Sequence, residues 1–192
     1  MKKTLLIMAT TLLATPMLAQ VYLDPNAPIE DRVKDALSRM TLHEKVMLCH
    51  AQSKFTSPGV PRLGIRQLNM SDGPHGVREE IEWNTWSAAK WTNDSIVAFP
   101  SLTCLAATWN RQLSHDFGHA VSEEFAFRNK DIMLGPGTTI ARMPLNGRSF
   151  ECMGEDPYWA GEMAVPYIKA AQASGVAGCL KRFFLNNQEK KR

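Results

Sequence analysis

The order of elements readable in the sequence predicts an α/β fold with parallel strands. Apolar residues recur at helical spacing in several stretches, short apolar runs alternate with them, and turn-forming Gly and Pro residues close two of those runs.

The first helix is expected over 28–40, where Ile29, Val33, Leu37 and Met40 recur with charges between them. Thr41-Leu42-His43-Glu44 reads as a capping box, so a second helix starts there and runs to about His50. Residues 51–66, rich in Ser, Pro and Gly, are expected as loop, and 67–71 as a strand ending at the turn Asp72-Gly73-Pro74. Residues 75–100 read as a long irregular stretch holding Trp83, Trp86 and Trp91, and a loop of that length inside a domain is usually functional. A helix follows Trp109-Asn110 to about Phe127, with Leu113, Phe117 and Val121 marking its turns. Asp131 to Leu134 is the next strand, broken at Gly135-Pro136-Gly137. After a polar loop over 138–155, Asp156-Pro157 opens a helix with an N-cap acid and a first-turn proline, extending to about Ala173 with a kink expected at Pro166. Val176 to Phe184 is the last strand, interrupted by Lys181 and Arg182.

Residues 1–19 combine Lys2 and Lys3, an apolar run from Leu5 to Leu13, Pro16 and a small-residue exit at Ala19, the pattern of a secretory signal peptide. The run is shorter than the about 20 residues a spanning helix needs. Cleavage is expected after Ala19, leaving one domain over 20–192 in a periplasmic or secreted protein. No cysteine follows the run, which argues against a lipid anchor. Without Lys2 and Lys3 the chain has 20 basic and 19 acidic residues, a balance that calls for no nucleic-acid partner and no membrane partner after signal cleavage. Cys49, Cys104, Cys152 and Cys179 match no zinc spacing, and their apolar contexts suggest buried thiols.

In parallel α/β folds, polar residues at the C-terminal ends of strands face the active site. Asp72, the loop after Leu134, and Lys181-Arg182 fall there. Asp72 sits on a stiff turn, Arg148 follows a glycine that admits close backbone approach, and Lys181 and Arg182 lie in an apolar strand where a charge needs a polar cavity or partner. Such groups suit binding of vicinal hydroxyls. A structural turn acid, an ion pair and a solvated strand edge are the plainer readings of the same residues. Glycoside cleavage also needs two carboxyl groups about 5 to 10 Å apart. No such pair stands out: Asp156 reads as a helix cap, Glu151 as a partner for Arg148, and Glu123 and Glu124 as helix surface. His115 and His119 lack the Glu of a metalloprotease helix, Gly135-Pro136-Gly137 completes no nucleotide motif, and no cofactor or metal is called for. The tryptophans suit either stacking on sugar rings or a private core for their loop.

Several motifs together resemble the N-terminal domain of glycoside hydrolase family 3, bacterial β-glucosidase type. They are Ser71-Asp72-Gly73-Pro74-His75-Gly76-Val77-Arg78, Phe99-Pro100 with Ala106-Ala107-Thr108-Trp109-Asn110, Leu134-Gly135-Pro136-Gly137, Asn146-Gly147-Arg148-Ser149-Phe150-Glu151, Gly154-Glu155-Asp156-Pro157-Tyr158 and Asn186-Asn187-Gln188-Glu189. The resemblance implies a retaining hydrolase that releases a terminal sugar, often β-glucose, from β-linked oligosaccharides or glycosides. Asp72 matches the family acid that binds the nonreducing sugar, Arg148 an arginine of that pocket, Lys181 the lysine of a Lys-His pair, and Arg192 a later arginine. Arg182 stands where the family has histidine; it is longer and always charged.

A complete eightfold barrel needs about 250 residues, so the resemblance implies a partial (β/α)8 TIM-type barrel, the N-terminal half only. The family places its nucleophile and acid/base in regions absent from these residues, so the chain alone is expected to be an inactive part of a glycosidase. A noncatalytic sugar-binding remnant and a truncated product that does not fold are the alternatives.

Overall fold

The computed structural model describes residues 20–90, 95–182 and 186–190. The expected leader, Trp91, Arg192 and the far end of the last expected strand lie outside them. The chain divides into two compact units between Lys45 and Val46.

In the first unit a 3₁₀ turn, Val21–Leu23, precedes α1, Ile29–Arg39. Glu30 and Asp31 in the first turn of α1 and Arg39 in the last have the signs that complement the helix dipole. Asp35 fastens the two pieces: it accepts from the Tyr22 backbone N–H at 3.1 Å and from Arg39 Nε at 2.8 Å. α2, Leu42–Met47, starts at the expected capping box. The Glu44 N–H donates to Thr41 Oγ1 at 3.2 Å, and the Thr41 N–H donates back to Glu44 Oε2 at 2.8 Å.

The second unit is built on a mixed sheet of β1, Thr56–Ser57, β2, Leu68–Asp72, β3, Ile132–Leu134, and β4, Ala177–Gly178, in that spatial order. β2, β3 and β4 run parallel, with Met70 beside Ile132 and Ile132 beside Ala177. The expected parallel α/β core is therefore present. β1 is antiparallel to β2 and lies in the stretch expected as loop. Its two residues are too few for any period to register. The β2 to β3 connection carries α3, Leu102–Ala107, and α4, Arg111–Phe127; the β3 to β4 connection carries α5, Pro157–Ala173. α3 was not expected: a six-residue helix shows less than two turns of pattern, and its start is marked by Ser101, whose Oγ accepts from the Cys104 N–H at 3.3 Å.

α4 and α5 form as expected. Asn110 Oδ1 caps α4 through the Leu113 N–H at 3.0 Å, and Asp156 Oδ1 caps α5 through the Tyr158 N–H at 2.9 Å. α5 is one element through Pro166. The two helices meet at Gly118, where a Cβ would come within 2.5 Å of the Tyr167 carbonyl oxygen, and the buried Ser114 Oγ donates to the Met163 carbonyl at 2.7 Å. Phe125, Met133, Met163 and Tyr167 are fully buried around this contact. Each contributes roughly 1.5 to 3 kcal/mol of hydrophobic stabilisation relative to exposure.

The last expected strand is shorter than its apolar run suggests. Its ladder with β3 covers Ala177 and Gly178, and a separate parallel bridge then pairs Lys181 with Gly137. Cys152 is buried, but Cys49, Cys104 and Cys179 are exposed. That corrects the expectation of buried thiols throughout: Cys104 takes an exposed position of the short helix α3, and Cys49 and Cys179 follow the ends of α2 and β4.

Candidate functional site

The parallel strands set the site. Asp72 is the last residue of β2 and pairs in register with Leu134 at the end of β3. Beyond β3 the chain passes through Gly135 and Pro136, joined by a cis peptide, to Gly137. Past β4, the Lys181 N–H donates to the Pro136 carbonyl at 3.1 Å, and the Thr138 N–H donates to the Lys181 carbonyl at 2.7 Å. Lys181 thus sits at the same sheet end as Asp72, 109 residues away in sequence, and its Nζ is hydrogen-bonded to Asp72 Oδ1.

A third segment is delivered by the 3₁₀ turn Ser149–Glu151. Thr103 Oγ1 lies 3.2 Å from the Ser149 and Phe150 carbonyl oxygens and 2.9 Å from that of Cys152, so α3 anchors the turn. Gly137 allows the turn to lie over the end of β3, because a Cβ there would stand 2.2 Å from the Glu151 carbonyl oxygen. Arg148 then forks onto Glu151, with Nε 2.9 Å from Oε1 and Nη2 3.1 Å from Oε2. Arg182 Nη2 donates to the same Oε2 at 2.9 Å, and Lys181 Nζ lies 3.8 Å from it.

Asp72, His75, Arg78, Arg148, Glu151 and Lys181 line one cavity of about 300 Å³, with Phe150 at its wall. The volume is at the lower end for small-molecule sites, room for about one compact ligand. A larger hollow of about 970 Å³ lies between 143–147 and 186–190. Its lining brings Glu189 and Lys190 together with amides and apolar groups, without the clustered carboxylates and cations that ordered recognition requires. The smaller cavity is the candidate site.

Of the four residues expected to touch substrate, the structure brings Asp72, Arg148 and Lys181 to this cavity. Arg182 is not among its lining residues; it stands behind Glu151, and its backbone N–H donates to Thr139 Oγ1 at 3.3 Å. His75 and Arg78 were not assigned roles from sequence, although both lie within the Ser71 to Arg78 motif, whose turn folds them back over Asp72: the Arg78 N–H donates to the Asp72 carbonyl at 3.0 Å.

The electrostatics separate the ionisable groups. Burial alone would raise the pKa of Glu151, but the hydrogen bonds and charge of Arg148, then the charges of Arg182 and Lys181, hold it below the ordinary carboxylate range. Glu151 is therefore an ionised structural hub. Burial lowers the pKa of His75, an effect that the Lys181 charge reinforces and Glu151 and Asp72 oppose. Its Nδ1 is buried without a hydrogen-bond partner, and its ring meets Phe150 edge-on at 5.5 Å. The histidine pair on α4 is exposed and does not line this cavity; His119 Nε2 lies 3.4 Å from Glu123.

Residues 87–187 match the family model described as glycosyl hydrolase family 3 N terminal domain. The chain belongs to this family. Among family relatives, it is 63% identical over 169 residues to beta-glucosidase BoGH3A of Bacteroides ovatus, covering 88% of this chain and 23% of that protein. It is 43% identical over 162 residues to thermostable beta-glucosidase B of Acetivibrio thermocellus, covering 83% of this chain and 21% of that one. The structure of beta-glucosidase 3B from Thermotoga neapolitana in complex with glucose superposes with a TM-score of 0.72 at 36% identity, over 83% of this chain and 24% of that chain. The chain thus spans less than a quarter of each of these family 3 proteins. Its α/β sheet and helices are those of the family's N-terminal, TIM-barrel-like domains.

Proposed function

We propose that the chain supplies the pocket for the terminal, nonreducing sugar of a β-glucoside in a retaining β-glucosidase, and that its sheet forms the N-terminal part of a (β/α)8 barrel. The observation that carries this reading is the convergence of Asp72, Arg148 and Lys181, from three distant segments, on one cavity at the C-terminal end of a parallel sheet. Asp72 is two-thirds buried and ionisable, so it can accept hydrogen bonds from vicinal hydroxyls; Lys181 and Arg148 stand beside it as donors. Glu151 holds those two cations in place, and Arg182 holds Glu151. In this reading Arg182 is a positioning residue.

The same geometry argues against turnover by these residues alone. Retaining cleavage requires a nucleophilic carboxylate and a second carboxyl group that starts protonated. Glu151 is held ionised by three cations and cannot serve as an acid near neutral pH, while Asp72 is committed to Lys181. Calorimetric titration with glucose, together with an aryl β-glucoside assay, tests the reading. The chain is expected to bind glucose without hydrolysing the aryl glucoside, and Asp72→Ala should weaken binding about tenfold or more. Unchanged glucose affinity in Asp72→Ala would remove the cavity from sugar binding, and turnover lost in the same variant would show that a catalytic pair is present.

A further inference from the structure

The Asp72 cavity draws walls from two loops, 72–78 after β2 and 148–152 beyond β3, and the short segment 97–106 touches both. On the first loop, the Phe99 N–H donates to the His75 carbonyl at 3.0 Å, and a Cβ at Gly76 would stand 2.6 Å from the Val97 carbonyl oxygen. On the second, Thr103 Oγ1 reaches the carbonyl oxygens of Ser149, Phe150 and Cys152. Phe99 and Thr103 are four residues apart, so one piece of backbone holds the two loops in register.

That piece is itself fixed. Leu102, Leu105 and Ala106 are buried in the core, and Phe99 packs against Phe117 with ring centroids 5.5 Å apart. The Trp159 indole N–H donates to the Ala106 carbonyl at 2.9 Å, which ties the end of α3 to the first turn of α5. α3 is therefore held in place whatever the turn at 149–151 does. Among the described residues, the hydrogen bonds from α3 to that turn all come from the Thr103 hydroxyl.

We propose that Thr103 is a positioning residue for sugar binding, its hydroxyl setting where Arg148 and Glu151 stand relative to Asp72. The inference rests on the reading of the Asp72 cavity as a sugar pocket. Arg148 and Glu151 grip each other through the fork, so they move as one body with the turn that carries them. Thr103 is exposed, which separates position from stability. When its hydroxyl is removed, water takes over the three carbonyl oxygens, and no large desolvation cost is left behind. A water bonded to the turn is not attached to α3, so the tether is lost all the same. A turn that is in place for only part of the time lowers the apparent affinity by that fraction.

The test is calorimetric titration of the full chain with glucose, with urea unfolding measured on every variant. Thr103→Val keeps the shape and removes the donor. It should weaken glucose binding about fivefold, the worth of one hydrogen bond, while the urea midpoint stays within about 0.3 M of the unsubstituted protein. Thr103→Ser keeps the hydroxyl and should restore most of the affinity. Thr108 supplies the control: its Oγ1 donates to the Leu105 carbonyl at 2.7 Å at the end of the same helix, so Thr108→Val should leave glucose affinity unchanged. If Thr103→Val binds glucose normally, if its midpoint falls further than that, or if Thr103→Ser or Thr108→Val loses as much affinity, the positioning role is wrong and the pocket stands. If glucose does not bind the unsubstituted protein, or Asp72→Ala leaves its affinity unchanged, the sugar-pocket reading fails and the positioning role fails with it.

Discussion

Glu151→Gln isolates the electrostatic hub while preserving its shape. The glutamine carbonyl can accept from one guanidinium, but its amide turns two donors toward Arg148, Arg182 and Lys181, which are donors themselves. Breaking one partner out of a buried pair costs about 3 to 5 kcal/mol. The Arg148 side chain is 32% exposed, so water screens part of its loss; the Arg182 side chain is 10% exposed and, among the described residues, its Nη1 already lacks a hydrogen-bond partner, so its loss is screened less. The lower end, about 3 kcal/mol, is therefore expected. With a urea slope of about 2 kcal/mol per molar, the unfolding midpoint should fall by about 1.5 M, read by circular dichroism. Combining Glu151→Gln with Arg182→Met should recover part of the loss, because it removes the stranded charge. A midpoint shift below about 0.3 M, or no recovery in the double variant, would refute the assignment of Glu151 as the hub.

Two further outcomes follow from groups around the cavity. Tyr167 Oη donates to the Pro74 carbonyl at 2.7 Å from a fully buried position, so Tyr167→Phe should destabilise by about 1 to 3 kcal/mol, and an unchanged urea midpoint would show that water or another donor serves Pro74. Stability should also decline with acid in two stages. His75, whose folded pKa lies below its ordinary 6.5, contributes fully above that pH and loses its contribution as pH falls through the lowered value; Glu151 contributes fully above 4.5 and loses it below. Urea midpoints should begin to drop below pH 6.5 and drop more steeply below 4.5, and His75→Gln should flatten the first stage; an identical decline in that variant would count against the histidine.

What the sequence made legible was local. The Thr41 and Glu44 capping box, the Asp156 cap and the fork between Arg148 and Glu151 each link residues two or three positions apart, and side chains at that spacing meet whatever the rest of the chain does. β2 and β3 were legible because glycine and proline close them. What was hidden depends on contacts across the fold. Thr103 and the turn at 149–152 meet over more than 45 residues, and nothing in Leu102-Thr103-Cys104 signals it. The tryptophans were balanced between two roles because stacking platform and private core have the same composition; only the exposure of Trp83 and Trp86 separates them, and Trp91 lies outside the described residues. Arg182 shows the converse problem. Its motif position suggested the pocket, but a guanidinium reaches past the cavity wall to Glu151.

The charge balance of the pocket bears on how cleavage would be organised. The cavity is lined by three cations, Arg78, Arg148 and Lys181, and two carboxylates, Asp72 and Glu151; Arg182 adds its charge from behind Glu151, and burial disfavours a charge on His75. A surplus of this kind lowers the pKa of any further carboxylate brought beside it. A nucleophile needs that state, since it attacks as the anion. A general acid needs the opposite, a raised pKa that keeps its proton at the operating pH. Of the two roles in the proposed function, the surroundings of this cluster suit the nucleophile. Glu151, by fixing Arg148 and Arg182, holds that cluster in place.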